Sequence, residues 1–376
     1  MVISIIVFIL ILGFLVFSHE FGHFIVAKKS GVKVEEFGLG YPPRIFSVKK
    51  GETVYSINAI PFGGFVRLYG EEKVTEKHFF DPRSFASQPI FKKVLIISAG
   101  VLMNFLIAVF IFYFLLFSSN FTDFQILVFD YHFPFGSQKQ SPMVTFVAKN
   151  SPAEKAGILQ GDVVLKANNH EVKSTKELIN FVNSHKGKEI LLELKNSKTG
   201  NTKEVKVIPR QTPPEGEGPL GIGIVNLTEI SYKNPLQKTF SGFLHSLNLA
   251  HYSITAFCHL IGKSIKEETI KPLSTNIIGP VGILAVTKVT ITAGLKSVFQ
   301  LIGLVSLALA IMNLLPFPAL DGGRLVFVAI EGIVGKRIPP KVESAVNYAG
   351  FLILIFLLIL ITFKDINQFK DILLNK

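Results

Sequence analysis

Four long runs of apolar residues, separated by stretches rich in polar residues, divide the chain. Each run is long enough for a helix that crosses the hydrocarbon layer of a membrane, which takes about 20 residues. In the long interval between the second and third runs, residues 144–226 hold short alternating stretches and glycine, asparagine and proline turns, which predict a separate α+β module. The sequence thus predicts a polytopic α-helical membrane protein with an inserted soluble domain. The runs cover about 2–26, 94–117, 298–320 and 346–363.

Shorter apolar stretches lie between the first two runs, at residues 37–43, 53–58 and 60–68. Their glycine and proline boundaries are typical of short β-strands separated by turns. The region is too broken to span a bilayer, but it is apolar enough to lie against the bilayer or dip into it, where protein or water must cover its backbone. We expect a membrane-associated β element here; a cytosolic hairpin without a special role is the alternative.

Composition and charge agree with a membrane protein. Of the residues, 49% are hydrophobic and the mean hydropathy is +0.44. The net charge of +12 raises the question of nucleic acid, but no groove-binding or stacking motif accompanies the basic residues, so no nucleic-acid partner is expected. Lysine and arginine are frequent after the first and third runs, which predicts that both segments are cytoplasmic and that the insert and both termini lie outside.

These patterns give an expected organisation from the amino end to the carboxyl end. It consists of span 1 over 1–26, a cytoplasmic or re-entrant β region over 27–93, span 2 over 94–117, an extracytoplasmic domain over 118–226, amphipathic membrane-surface helices over 227–290, span 3 over 291–322, a cytoplasmic loop over 323–345, span 4 over 346–363 and a tail over 364–376.

A metal-binding pattern, His19-Glu20-Phe21-Gly22-His23, directly follows the uncharged stretch of the first run. Residues four apart share one face of a helix, so both imidazoles can reach one zinc ion while Glu20 stands beside its open position. Ionisable groups inside an apolar span are costly, and a bound cation compensates for them. The alternative is that these residues lie just beyond the membrane edge and bind nothing.

A hydrolytic zinc site needs a third protein ligand, and Asp321 is the candidate. Pro316 and Pro318 cannot continue a helix, so the third run should unwind just before Asp321 and expose backbone to a water-lined cavity. Two imidazoles and a carboxylate favour zinc, although these ligands also admit cobalt or manganese. The alternative is a simple loop in which Asp321 caps the next helix.

The inserted module has the element order of a known peptide-binding domain. A turn and helix at 151–157, a helix near 174–184 and strands at 189–195 and 203–208 resemble a PDZ domain of the bacterial kind. An edge strand would accept a peptide, and glycines would let backbone N–H groups converge on its terminal carboxylate. A spacer module with a closed groove is the alternative. The predicted groove residues are Leu220, Gly221, Ile222, Gly223 and Ile224.

Three regions together resemble the site-2 proteases, in particular the bacterial group that regulates envelope-stress sigma factors. They are the motif at 19–23, the segment from Asn313 to Asp321 that matches N-x-x-P-x-P-x-L-D-G, and the PDZ-like module. The resemblance implies an intramembrane zinc metalloendopeptidase of the bacterial inner membrane. In it, His19, His23 and Asp321 bind Zn²⁺ and Glu20 is the general base. Many relatives carry two PDZ modules, whereas this chain has room for one.

By the same resemblance, the substrate is a single-pass membrane protein such as an anti-sigma factor, already trimmed by another protease. Its unwound segment would pair as an added strand with the region around 53–68, and Asn313 would hold its backbone. The remaining partner is the lipid bilayer. The predicted substrate-binding residues are Asn313, Thr53, Val54, Tyr55, Ser56, Ile57, Gly63 and Gly64.

Two other functions compete with this interpretation. A metal-ion transporter or channel would place several polar residues along its spans, and spans 2 and 4 carry few. A membrane-anchored PDZ scaffold would need no metal. His245, His251 and His259 on the stretch after the module lack metal-binding spacing and are expected at the surface.

Overall fold

The computed structural model describes residues 1–71, 76–129, 131–196, 200–336 and 338–374. The chain divides into two compact units. The membrane unit combines Met1–Leu115 with His245–Lys376, and the inserted unit is Leu116–Leu244. The interruption of the membrane unit by a separate domain agrees with the organisation expected from the apolar runs.

The elements alternate between long helices and a small sheet before the insert, and change to short strands within it. Before the insert they are α1 (Val2–Lys29), β1 (Val34–Lys50), β2 (Thr53–Leu68), α2 (Glu76–Phe80) and α3 (Ile90–Ser118). Within it they are β3 (Thr122–Ile126), β4 (Ser137–Val147), α4 (Pro152–Lys155), β5 (Asp162–Ala167), β6 (His170–Glu171), α5 (Thr175–Ser184), β7 (Ile190–Asn196), β8 (Thr202–Val207), β9 (Ile222–Ser231) and α6 (Pro235–Thr239). After it come α7 (Ser241–Lys266), α8 (Lys271–Asn276), α9 (Pro280–Ala293), α10 (Leu295–Leu314), α11 (Asp321–Val334) and α12 (Pro340–Leu374).

Among the described residues, four helices, α1, α3, α10 and α12, are long and apolar enough to cross a membrane. They correspond to the four apolar runs, so the prediction of a polytopic α-helical membrane protein with four spans is confirmed. Many of their large side chains are exposed, as in Phe14, Phe110 and Phe356, which is the arrangement of a lipid-facing helix. The inward faces of α1 and α10 meet in a core around Leu15 and Val305.

Strands β1 and β2 bend, so each contributes two separate segments to one mixed sheet. Residues 44–50 of β1 run antiparallel to 53–58 of β2, whereas residues 36–39 run parallel to 54–57. Residues 34–39 also pair antiparallel with 64–68. The spatial order is therefore 44–50, 53–58, 34–39 and 64–68. Residues 53–58 are an inner strand, and 64–68 form an edge with no further strand beside it among the described residues.

An ion cluster inside this sheet fixes its register. The carboxylate of Glu36 is buried and accepts hydrogen bonds from Ser56 Oγ at 2.7 Å, Arg44 Nη2 at 2.5 Å and Arg67 Nη1 at 2.9 Å. These three donors come from three different strands of the sheet. Both carboxylate oxygens have partners, which offsets the cost of burying the charge.

Helix α11 is tied to the rest of the membrane unit by packing and by two ion pairs. Val328 joins the core that contains Ala27 of α1 and Ile96 of α3. Lys93 Nζ of α3 lies 2.7 Å from Glu331 Oε1, and Arg324 pairs with Glu71. Because Lys93 is almost fully buried, its pairing with Glu331 restricts where α11 can lie.

The described residues of the inserted unit form a seven-stranded antiparallel sheet with short helices. The strand order is β3-β9-β4-β5-β7-β8, and β6 pairs with β5. Its core is formed by apolar side chains from several strands and from α5, including Val164, Leu192 and Leu178. Ser151 caps α4 and Ser174 caps α5 through their side-chain oxygens. The helix expected near 174–184 and the strands expected at 189–195 and 203–208 are all present.

Several expected boundaries differ from the structure. The sequence predicts a loop over 323–345, but α11 occupies 323–334 and α12 begins at Pro340. Helix α11 forms there because its apolar face packs into the core around Val328. The tail expected at 364–376 is helical to Leu374, and Asp365 is fully buried there. Its Oδ2 accepts the N–H groups of Gly279 and Gly282 at the start of α9, which holds the two helices together.

The sequence predicts amphipathic surface helices over residues 227–290, and the structure differs from this prediction at both ends of the segment. Strand β9 continues to Ser231, and the stretch ends within the apolar helix α9. The prediction that His245 is a surface residue is wrong. Its side chain is buried on α7, and its ring packs edge-on against Phe112 of α3 at a centroid distance of 5.3 Å.

Candidate metal centre

The histidines of the H-E-x-x-H motif lie on one buried face of α1. His19 and His23 are one helical turn apart, and their Nε2 atoms are 3.2 Å from each other. Both side chains are buried at the interior of the membrane unit. The four-residue spacing therefore brings the two imidazoles to a common point, as the sequence predicts.

Asp321 comes to the same point from the other end of the chain. Its Oδ2 lies 3.0 Å from Nε2 of His19 and 3.2 Å from Nε2 of His23. These three residues form a group of metal-ligand type among the described residues. The structure thus brings together all three predicted ligands.

The turn before Asp321 explains how the third ligand arrives. Helix α10 ends at Leu314, and α11 begins at Asp321. Within the turn, Ala319 has a positive φ of 71°, and its N–H donates to Asn347 Oδ1 of α12. Gly322 and Gly323 lie so close to the backbone of this turn that a Cβ on either would overlap it. The unwinding predicted from the prolines is present, but the new helix starts at Asp321 itself.

The distances among the three donor atoms fit a small divalent metal. Tetrahedral zinc with bonds of about 2.0–2.1 Å holds neighbouring ligand atoms about 3.3 Å apart. The three atoms here are 3.0–3.2 Å from one another. In addition, the buried Oδ2 of Asp321 accepts no well-oriented hydrogen bond from the described residues. A carboxylate oxygen that faces two imidazole nitrogens in this way is suited to a shared cation.

Helix α3 lies directly beside the two histidines and contacts them. Nδ1 of His23 is 2.8 Å from the carbonyl oxygen of Ile96, so Nδ1 carries the proton and Nε2 is free for a metal. A Cβ at Gly22 would overlap the carbonyl of Ala99, and a Cβ at Gly100 would overlap Nε2 of His23. Both glycines allow α1 and α3 to touch beside the site. Gly100 was not among the site residues predicted from the sequence.

Glu20 stands beside this group, half-buried on α1. A Cβ built on Gly64 would lie 3.0 Å from its Cγ, so the edge of the sheet runs directly past Glu20. Gly64 is part of the 64–68 edge. Glu20 and the predicted substrate-binding residue Gly64 therefore lie next to each other.

The other predicted substrate-binding residues divide into two sets. The strand that holds Thr53, Val54, Tyr55, Ser56 and Ile57 has little free edge for an added strand, because residues 54–57 pair with 36–39 on one side and with 46–49 on the other. Hydrogen bonds show the structural use of this strand: Thr53 Oγ1 donates to the carbonyl of Val34, and Ser56 Oγ donates to Glu36.

Gly63, Gly64 and Asn313 remain as predicted substrate-binding residues. Gly63 has a positive φ of 94° directly before the free edge. Asn313 lies half-buried in the last turn of α10, one residue before that helix ends. Asn313 thus precedes the turn that ends at Asp321, and Gly63 precedes the edge residue that lies near Glu20.

The predicted peptide groove of the inserted unit has an open strand edge. β9 pairs with β4 from Ile222 to Ser231, but β3 begins to pair with it only at Leu227. Leu220 is buried, and Gly221 has a positive φ of 73° just before the strand. Residues 222–226 thus leave one side unpaired by a described strand, next to α5, where Asn226 Oδ1 accepts the N–H of Thr175.

A cationic side chain lies at the start of this edge. A Cβ on Gly221 would be 2.7 Å from Nη2 of Arg210, and the same Nη2 donates to Glu217 Oε2 at 2.8 Å. Arg210 Nε is buried without a hydrogen-bond partner among the described residues. Neither Arg210 nor Glu217 was predicted from the sequence as part of the groove, since an isolated Arg-Glu pair in a loop carries no motif.

A group of two histidines and an aspartate inside a four-span membrane unit, with a glutamate beside it, defines a membrane metallohydrolase. Comparison with known proteins identifies the family. Residues 7–357 match Peptidase family M50, and the chain belongs to that family. It is a multi-pass membrane zinc metalloendopeptidase, and the predicted site-2 protease membership is confirmed.

Two similar proteins match nearly the whole chain, and a solved domain matches part of it. CPE1693 of Clostridium perfringens is 35% identical over 94% of this chain and 95% of that protein. Regulator of sigma-W protease RasP of Bacillus subtilis is 27% identical over 97% of this chain and 98% of that protein. A solved PDZ domain of the SdrC-like protein from Listeria monocytogenes covers 22% of this chain and 85% of that chain, with 20% identity and a TM-score of 0.20.

Proposed function

We propose that this protein cleaves the membrane-spanning segment of a single-pass membrane protein, such as an anti-sigma factor, in regulated intramembrane proteolysis. The observation that supports it most is the meeting of His19, His23 and Asp321 at one buried point of the four-span unit. The name of the Bacillus subtilis relative, a regulator of sigma-W protease, supports the substrate class.

The roles of the site residues follow from their chemistry. His19, His23 and Asp321 would hold zinc. When bound, zinc supplies Lewis-acid activation of a water molecule and of the scissile carbonyl. Glu20 would accept the proton of the attacking water and then donate it to the leaving amine. The buried position of the three ligands would keep bulk water from the reacting groups.

We further propose that the unwound substrate adds as a strand to the 64–68 edge. A helix hides its peptide bonds in internal hydrogen bonds, so the substrate must be extended before attack, and an exposed strand edge stabilises an extended segment. The close approach of Gly64 to Glu20 supports this edge over the inner strand 53–58. Asn313, in the last turn of α10, would hold the substrate backbone.

The inserted unit would select substrates that another protease has already trimmed. Its open edge at 222–226 suits a peptide that runs antiparallel to β9 and ends beside Gly221. In that direction the terminal carboxylate would meet Arg210. The basic segments after spans 1 and 3 support a topology in which the inserted unit and both termini are extracytoplasmic, in the inner membrane of a bacterium.

The direct test combines zinc content with cleavage of a model substrate. The purified chain in detergent, given a single-pass membrane peptide, should contain about one zinc per chain and cleave the peptide. Glu20→Gln should keep the zinc and lose cleavage, whereas His23→Ala should lose both. Normal turnover by the Glu20→Gln variant, or a His23→Ala variant that still holds zinc as tightly as the original chain, would refute the proposal.

A further inference from the structure

A fully buried amide next to His19 has no evident purpose in the packing of the spans. Asn104 lies on α3, and its Nδ2 is 3.5 Å from Nδ1 of His19. Its Oδ1 is buried and accepts no hydrogen bond from the described residues. An unsatisfied buried oxygen is destabilising, so a residue of this kind inside a membrane span needs an explanation.

The chemistry of a metal-binding histidine supplies that explanation. Nε2 of His19 faces Asp321, and a ligand nitrogen must present a lone pair, so the proton of the neutral ring belongs on Nδ1. With Nδ2 turned toward that ring, two donors would face each other. The two ends of an amide exchange by rotation about the last bond of the side chain, and hydrogen bonding decides between them. Rotation brings Oδ1 of Asn104 to the Nδ1–H of His19 and satisfies both groups.

We propose that Asn104 is the positioning residue of His19. Its side-chain oxygen accepts the Nδ1–H and thereby holds the imidazole with Nε2 toward the metal point. This inference rests on the zinc site of the proposed function. The second histidine already has an equivalent partner, because Nδ1 of His23 lies 2.8 Å from the carbonyl oxygen of Ile96. Both ring orientations would then be set by α3, one through its backbone and one through Asn104.

A second contact of Asn104 provides a matched control. The hydroxyl of Ser306 on α10 donates to the backbone oxygen of Asn104 at 2.8 Å. Ser306 is fully buried, so the two residues share the same environment. The bond of Ser306 fixes the backbone of α3 against α10 and does not touch the amide. Loss of this bond should disturb packing without changing which nitrogen of His19 carries the proton.

The test measures zinc affinity of the full-length protein in detergent by competition with a chromogenic chelator. Asn104→Leu keeps the size of the side chain but removes the acceptor, and zinc affinity should fall about 10–100-fold. Asn104→Asp keeps an acceptor oxygen, and affinity should stay within about threefold of the original chain. Ser306→Ala should leave zinc affinity unchanged although it lowers thermal stability.

The outcomes separate this inference from the zinc site itself. Unchanged affinity in Asn104→Leu, or an equal loss in Asn104→Asp and Asn104→Leu, would overturn the positioning role. An equal loss in Ser306→Ala would also overturn it, since general packing would then explain the effect. If His23→Ala binds zinc as tightly as the original chain, the proposed site fails as a whole, whichever result Asn104 gives.

Discussion

Gly100 of α3 lies so close to His23 of α1 that a methyl group on Gly100 would overlap the Nε2 atom. The same methyl carbon would be 2.7 Å from Nε2 of His19. The absence of a side chain at this one position therefore gives both imidazoles the space in which they face Asp321.

Gly100→Ala should reduce zinc affinity on the order of 10–100-fold, because at least one imidazole must turn away from the metal point. Zinc competition with a chelator measures the change. Gly13→Ala is the matched control, since a Cβ there meets nothing within 4 Å and α1 keeps its contacts. A Gly100→Ala variant with unchanged zinc affinity would show that the rings do not need this space.

Substrate should contact the 64–68 edge and not the inner strand. In the inactive Glu20→Gln chain with the exposed Cys258 replaced by serine, single cysteines can be placed on either segment. A cysteine at Phe65, which leaves the Glu36 cluster intact, should form a disulfide cross-link to a substrate cysteine near its cleavage position. Cysteines at Tyr55 and Ile57 are the control, because both positions are exposed but their strand is paired on both sides. Equal cross-linking of the two segments would contradict strand addition at the edge.

Glu217 should compete with a peptide carboxylate for Arg210. Glu217→Gln removes that charge, so a peptide with a free terminal carboxylate should bind up to about tenfold more tightly, which corresponds to about 1.4 kcal/mol. Arg210→Met should weaken the same binding. Fluorescence anisotropy of a labelled peptide measures both effects, and the amidated peptide is the control. An equal gain for the amidated peptide would argue against a carboxylate contact.

Breaking the Lys93–Glu331 pair should destabilise the membrane unit. Lys93 is almost fully buried whereas Glu331 is partly exposed, so Lys93→Met should cost about 1–3 kcal/mol and lower the Tm in detergent. The Lys93→Met, Glu331→Leu double variant leaves no charge alone and should recover most of this loss. A double variant less stable than either single variant would indicate that the two residues act independently.

The inserted unit should lose stability in acid through Asp162. Burial acts to raise the pKa of this carboxyl, but hydrogen bonds from the Leu159 N–H, Lys203 and Asn196 outweigh it, so the pKa is lowered. A pKa below the unfolded value of about 3.9 means that the carboxylate stabilises the fold above that pH. This contribution is lost as the pH falls toward the pKa of the folded state.

Hydrogen exchange followed by mass spectrometry can test this expectation. Protection factors of β5 and β8, corrected for intrinsic exchange, should fall between about pH 4 and 3 in the original chain. Asp162→Asn should lower the free energy of opening, calculated from the protection factors at pH 7, by about 1–3 kcal/mol. It should also remove most of the pH dependence of protection. The same acid response in both chains would assign the effect to other carboxylates.

The sequence predicts the metal group better than its surroundings. Helical periodicity brings His19 and His23 together, and two prolines mark the turn to Asp321, so local rules are enough to propose all three ligands. Gly100 and Asn104 lie on α3, and packing sets the rotation of α3 relative to α1. Their spacing along the chain gives no sign of their distance from the histidines.

The sheet shows why pairing is harder to predict than strands. The stretches at 53–58 and 60–68 are both apolar and rich in turn residues, so the sequence gives them similar roles as partners for a substrate. Their order in the sheet depends on the buried contacts of Glu36 with Arg44, Ser56 and Arg67, which join distant positions. Strand order therefore decides which stretch is free, and strand order is a property of the folded chain.

The donor atoms come from opposite ends of the polypeptide, at positions 19, 23 and 321 of 376. While the ribosome is still adding residues, the nascent chain lacks its last donor until Asp321 has been made. Hydrolytic competence would thus begin only late in biosynthesis, after the earlier spans have been threaded into the bilayer. A truncated product that ends before α11 would remain inert toward neighbouring membrane proteins.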